Sequence, residues 1–248
     1  MIFFKSAASI CDPLTRPNLA VGQRILYAVQ STQTVVSCNT NLGIILLCAP
    51  MTQAALHCRT SQAFYSSLKA TLAELSIQDA EMTYEAIRLA APAGLGRVEE
   101  QDINNKPTIS LRSAMSLSQT QDRIAYQYAR NYDDIFTLGL PVFYEALARW
   151  DSVLWATVAV YLAMLSHFPD SHIARKYGAK IAEKIRLQAT DLSDALKKCY
   201  FPTQLLGKLQ SMDYDLKKNS INPGTSADLT VATLFAYRLQ DIPNAVEF

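Results

Sequence analysis

The sequence predicts an all-α fold, a single multi-helix globular domain of about ten helices over residues 1–248. Three observations carry this. Apolar residues recur at spacings of three and four through most of the chain. No run of β-branched residues alternates with period two between turn signals. Short polar residues of the N-cap type also stand just ahead of apolar stretches, Ser61 and Ser76 among them.

Taken in order, "VGQRILYAVQSTQTVV" puts Ile25, Leu26, Val29 and Thr32 on one helical face. "IILLCAPMTQAAL" (44–56) is a mostly apolar helix that a kink at Pro50 would bend, because proline lacks the N–H for the bond four residues back. "SQAFYSSLKATLAEL" and "SIQDAEMTYEAIRLAA" are amphipathic. Further helices are predicted at about 119–130, 133–149, 151–166, 171–188, 190–198, 203–219 and 225–239. The one long polar interruption is 92–113, with two glycines and two prolines. A structureless loop of that size is usually functional or a boundary between domains; one helical domain is the simpler reading.

Composition narrows the function classes. A net charge of +1 gives no reason to expect a nucleic-acid backbone or an anionic membrane as partner, so any anion site must be local. "VLWATVAVYLAML" (153–165) is too short to span a bilayer and reads as a buried helix. The start, "MIFFKSAASICD", is a poor signal peptide, with only three apolar residues between Met1 and Lys5 and no long apolar stretch. Cys11, Cys38, Cys48, Cys58 and Cys199 are odd in number and show no Cys-x-x-Cys spacing. Free thiols in a cytoplasmic protein are therefore expected, and neither a zinc site nor haem or flavin.

Glycine is scarce, at eight residues, and five of them lie in polar segments beside predicted helices. In "NPGTSAD", Pro223 blocks a preceding helix, Gly224 allows a tight turn, and the N–H groups of Thr225, Ser226 and Ala227 open the last helix. Such an end either caps itself or receives phosphate. Asp228 is expected in its first turn, to hold Mg²⁺ or to satisfy the helix dipole. In "CNTNLGI", Asn39, Thr40 and Asn41 lead through Gly43 into a buried helix, as an Asx-type cap or a ligand turn. "GLGRVEEQD" sets Glu99 and Glu100 beside two glycines, which fits a solvated loop as well as metal–phosphate or general-base work. In "FPDSHIARKYG", Pro169–Asp170–Ser171 signals a helix entry. His172 and Arg175 then share a face that would meet either solvent or a triphosphate, and Gly178 reads as a helix stop.

Five segments in this order, "CNTNLGIILLCAP", "GLGRVEEQD", "RIAYQYARNYDDIFTLG", "FPDSHIARKYG" and "INPGTSADLTVATLF", resemble the motifs of triphosphoribosyl-dephospho-CoA synthases. The closer likeness is to the branch of methylotrophs and methanogens, and it runs over about 20–240. The resemblance implies an all-α transferase in which a 2′-hydroxyl of dephospho-CoA attacks the anomeric carbon of ATP and adenine leaves. The triphosphate stays on the transferred sugar. Such chemistry calls for neutralisation of the triphosphate, a base for the hydroxyl and a donor for departing adenine.

Carried onto this sequence, the resemblance implies nucleotide contacts at Asn39, Thr40 and Gly43, and at Asp170, Arg175, Asn222, Gly224, Thr225 and Ser226. It gives catalytic roles to Asp228, Glu99 and Glu100, with Mg²⁺ expected alongside ATP on Asp228 and Glu100. Relatives carry a Lys-Pro-Gly motif ahead of the segment matching "FFKSAASI", and no such tripeptide occurs in these 248 residues. A non-catalytic nucleotide-binding paralogue is therefore one alternative. A related ATP-dependent enzyme of pterin-type one-carbon cofactor biosynthesis is the other. ATP and dephospho-CoA or a related acceptor are the expected partners, with no nucleic acid or membrane; a homodimer is compatible.

Overall fold

The computed structural model of the chain describes residues 2–36, 40–58, 63–91 and 102–240, and among these there is no strand. Where the sequence reads most simply as one domain, contacts gather into two compact units. The first is Met1–Tyr132 with Phe235–Phe248, the second Asp133–Leu234. The division falls away from the 92–113 loop, at a break in the helical path where Asn131 (φ 54°) and Tyr132 (φ 63°) both take left-handed backbone.

The first unit holds α1 (Ile2–Ser9), α2 (Cys11–Thr15), α3 (Val21–Val35), α4 (Leu42–His57), α5 (Phe64–Ala73), α6 (Ile77–Ala90), α7 (Leu111–Leu117) and α8 (Arg123–Ala129). Helices α1, α2 and α7 are not expected from periodicity, since each is only two turns or less. Helix α8 starts later than the predicted 119 because the Asp122 carboxylate caps the N–H groups of Ile124 (2.8 Å) and Ala125 (3.0 Å). Helix α3 packs on α1, α2, α4 and α6, and Ile25, Leu26, Val29 and Thr32 are buried on it as the spacing predicts.

Two devices make this packing possible. Gly22 lies so close to α6 that an added Cβ would stand 2.6 Å from the Asp79 Cα. The Gly22 N–H donates to Asp79 Oδ1 (2.8 Å), while Asp79 Oδ2 accepts from the Ser76 N–H (2.8 Å) and hydroxyl (2.7 Å). One buried carboxylate thus fastens the starts of α3 and α6. The second device repairs α4, which runs through Pro50. With no N–H at Pro50, the Leu46 carbonyl loses its helical partner, and the buried Tyr128 hydroxyl donates to it at 2.6 Å. Tyr132 donates to the next carbonyl along, that of Leu47 (2.9 Å), and ties the same stretch of α4 to the end of the unit. Burial pushes both phenol pKa values well up, so both remain donors. Arg24, 1% exposed, donates to the carbonyls of Leu14 and Arg16 and to Gln53 Oε1, each at 2.7 Å. It caps the end of α2 with positive charge.

The second unit begins with a π-helical turn, Asp134–Gly139, where a regular α-helix is predicted, and continues into α9 (Leu140–Trp150). Then come α10 (Val153–His167), α11 (Ser171–Tyr177) and α12 (Ala179–Lys198). A 3₁₀ turn at Pro202–Leu205 leads to α13 (Leu206–Lys218), and α14 (Gly224–Gln240), which belongs to this unit as far as Leu234, is the last helix among the described residues. Helix α10 packs on α9 and α12 and buries Val160, Leu162, Met164 and Leu165. No single helix among the described residues is long and apolar enough to cross a membrane.

The predicted helix 171–188 is interrupted at Gly178, whose φ of +88° ends α11 and starts α12. The predicted break near 189 is absent: α12 runs unbroken to Lys198. Cys11, Cys48, Cys58 and Cys199 form no disulfide, and Cys38 lies outside the described residues.

Candidate functional site

In the second unit the "FPDSHIARKYG" and "INPGTSADLT" segments meet at one carboxylate. Asp170 is the N-cap of α11 because a short acid in extended backbone can turn onto the first free N–H groups. Its Oδ1 accepts from the N–H of His172 (2.9 Å) and Ile173 (3.1 Å). Its Oδ2 reaches α14 and accepts from the Ser226 N–H and Ser226 hydroxyl, both at 2.8 Å. The side chain is fully buried. Thr225 adds a second link, its Oγ1 accepting from the His172 N–H at 3.2 Å.

The start of α14 holds an anion on the Ser226 N–H, and that anion is the protein's own Asp170 carboxylate. Two helix dipoles converge on this carboxylate. It is held by backbone groups from segments 56 residues apart. Asp170 and Asp79 are equivalent devices, one in each unit.

Around this clip stand the other polar groups. Gly224 faces His172: a Cβ there would meet the imidazole Cγ at 3.3 Å. Burial, reinforced by the charge of Arg175, holds the His172 pKa below its ordinary value, so the ring is neutral at pH 7. His172 carries a signal in the sequence, its shared face with Arg175, but no role was predicted for it. Arg175 is half-buried, one turn along α11. Asp228 is also half-buried, and the structure corrects its place. Helix α14 starts at Gly224 and has no acid in its first turn, so Asp228 lies one turn further in, on the face of Gly224. Asn222 is exposed, and its carbonyl accepts from the Gly224 N–H at 2.8 Å.

The "CNTNLG" segment belongs to the first unit. Asn41 does not form the Asx-type cap. Its side chain turns inward to Thr32 Oγ1 (3.2 Å) and the Ser6 carbonyl (3.4 Å), and makes no cap bond to α4. Thr40 Oγ1 is buried and has no hydrogen-bond partner among the described residues. A buried hydroxyl left so costs about 1–3 kcal/mol, and a ligand polar atom would remove that cost. Gly43 is buried in the first turn of α4. Asn39, Glu99 and Glu100 lie outside the described residues.

The chain matches, over residues 2–246, the family described as ATP:dephospho-CoA triphosphoribosyl transferase. It belongs to that family. The triphosphoribosyl transferase fold is also found in a crystal structure from Archaeoglobus fulgidus, a protein named by assignment as a triphosphoribosyl-dephospho-CoA synthase. The two are 22% identical, with a TM-score of 0.70, over 97% of this chain and 98% of that one. No curated protein matches the chain. Membership makes the transferase an enzyme whose donor is ATP and whose acceptor is dephospho-CoA. Its substrates bring a triphosphate, a pyrophosphate and two ribose rings. Triphosphate and pyrophosphate are met by cationic side chains and helix-start N–H groups, and ribose by hydroxyl and amide groups.

Proposed function

We propose that this transferase moves the 5-triphosphoribosyl group of ATP onto the 2′-hydroxyl of dephospho-CoA and releases adenine, making the precursor of a prosthetic group. The bond from C1′ to adenine breaks with its electron pair going to the base. A new bond forms from C1′ to the acceptor oxygen, and the hydroxyl proton passes to a carboxylate or to the departing adenine. The observation that carries the reading is the family match over residues 2–246.

In this reading the Thr40 hydroxyl, with Asn39 and Gly43, contacts the nucleotide; the buried Thr40 Oγ1, which has no hydrogen-bond partner among the described residues, supports that role. Arg175 pairs with phosphate, and the α14 start at Asn222, Gly224 and Thr225 adds hydrogen-bond donors and acceptors. Asp170 and Ser226 hold that start in place rather than touching substrate, because their polar atoms are engaged with each other. Asp228, with Glu99 or Glu100, supplies the base. Asp228 and Glu100 also hold Mg²⁺. Among the described residues no three His, Cys, Asp or Glu side chains gather to hold a metal. A Mg²⁺ that arrives on ATP would take most of its ligands from phosphate and water.

The test is adenine release. The protein is incubated with Mg²⁺–ATP, with and without dephospho-CoA, and free adenine is followed by chromatography. Acceptor-dependent adenine, abolished by EDTA and restored by Mg²⁺, is expected. ATP binding with no adenine from dephospho-CoA would end this reading.

A further inference from the structure

Helices α12 and α13 leave a groove of 510 Å³ between them. They run antiparallel: the Tyr177 hydroxyl, just ahead of α12, donates to the Ser220 carbonyl just after α13, and the 3₁₀ turn that leads into α13 packs on α12. The groove floor is apolar, with Ile185 and Leu216 buried in the core cluster and Met212 partly buried against it. It runs along α12 from Ile181 to Leu192, roughly 16 Å at 1.5 Å per residue. Lys184 and Lys208 stand on its walls, exposed and without an ion-pair partner among the described residues. Gln188 and Asn219 offer amides, and Asp215 offers one carboxylate.

One end of the groove is continuous with the site described above. Asn219 and Ile221 form its wall there and lead directly into Asn222–Pro223–Gly224. That end is fastened by the Tyr177 hydroxyl donating to the Ser220 carbonyl (2.5 Å) and the Ile221 N–H donating to the Leu216 carbonyl (2.9 Å).

We infer that this groove binds the pantetheine–pyrophosphate arm of dephospho-CoA, an inference that rests on the function proposed above. A triphosphate wants clustered cations and N–H donors, and a purine wants an aromatic face. No aromatic side chain lines the groove, and its two lysines do not share a helix, Lys184 standing on α12 and Lys208 on α13. The arm is a long chain with apolar methyl and methylene segments, two amides and a pyrophosphate at one end. The floor meets the apolar segments and Gln188, Asn219 and Asp215 meet the amides. The lysine nearer Asn219, Lys184, meets the pyrophosphate as a point charge. With the pyrophosphate at that end, the attached ribose reaches the Asn222–Gly224 turn, where its hydroxyl reacts.

The test separates binding from turnover. Methionine methyl groups are labelled with ¹³C, and the Met212 signal is followed while dephospho-CoA, 4′-phosphopantetheine, ATP or decyl sulfate is added. Dephospho-CoA and 4′-phosphopantetheine are expected to move Met212, with ATP and decyl sulfate leaving it in place. In turnover, Lys184→Glu and Leu192→Arg should each raise KM for dephospho-CoA at least tenfold and KM for ATP less than twofold. Met212 unmoved by saturating dephospho-CoA, or moved equally by ATP or by decyl sulfate, would overturn the inference. So would unchanged acceptor KM in both variants. If adenine release fails while Met212 still responds to both pantetheine compounds, the proposed reaction falls and the groove assignment stands.

Discussion

Replacing Asp170 with Asn tests whether this carboxylate is a structural clip. An asparagine keeps the size of the side chain but can accept on one atom only. If its oxygen stays on the His172 and Ile173 N–H groups, its NH₂ faces the Ser226 N–H, now 2.8 Å from a donor. A buried N–H without an acceptor costs about 1–3 kcal/mol. Loss of the charge at two helix starts costs about 0.3–1 kcal/mol each, and more when partly buried. The amide costs less to desolvate, which offsets part of this. The net expectation is a loss of about 2–4 kcal/mol. For a chain of this size that is roughly 5–15 °C in Tm. The assay is thermal unfolding followed by circular dichroism, without nucleotide. A Tm within 2 °C of the parent, together with weakened ATP binding, would refute the clip and make Asp170 a direct ligand of the nucleotide.

Three further outcomes are expected. Tyr128→Phe strands the Leu46 carbonyl and should cost about 1–3 kcal/mol; in a Pro50→Ala background, where residue 50 supplies an N–H, urea unfolding should show a clearly smaller cost. Gly22→Ala brings a Cβ against the backbone of Asp79, which cannot rotate away, and should destabilise by about 1–3 kcal/mol or more in the same assay. His172 has a lowered pKa, so the folded state binds fewer protons than the unfolded state below the unfolded value near 6.5. Stability contributed by the neutral ring is complete above that pH and falls as pH drops towards the folded pKa, by at most about 1.4 kcal/mol per pH unit. His172→Asn should flatten that slope in urea titrations between pH 7 and 5, and an unchanged slope would rule His172 out as its source.

Local hydrogen bonding was legible in the sequence because its spacing is fixed by the helix. Ser76 caps α6 through the N–H three residues on, and Asp170 caps α11 through N–H groups two and three residues on. The order of five motifs likewise sufficed for the family. Helix ends were less legible where short-range rules were silent. Nothing in "NYDDIFTLG" distinguishes a π-turn from an α-turn, since both present similar faces.

Tertiary structure decided what each polar atom does with its second bonding site. An aspartate at a helix start, at the N-cap like Asp170 or three residues on like Asp79, commits one oxygen to its own first turn, and packing chooses the partner of the other. Asp170 reaches Ser226, and Asp79 reaches Gly22. Asn41 reads as a cap but is drawn to Thr32 and Ser6, because burying an amide requires partners and those lie inside. The groove between α12 and α13 has no local signature at all, for it exists only where two helices stay apart. Spacing along the chain therefore determined the all-α class, most of the longer helices, the caps at Ser76 and Asp170 and the family. Distances between residues far apart in the chain, set by close packing, decided which of those caps became clips and where a substrate can enter.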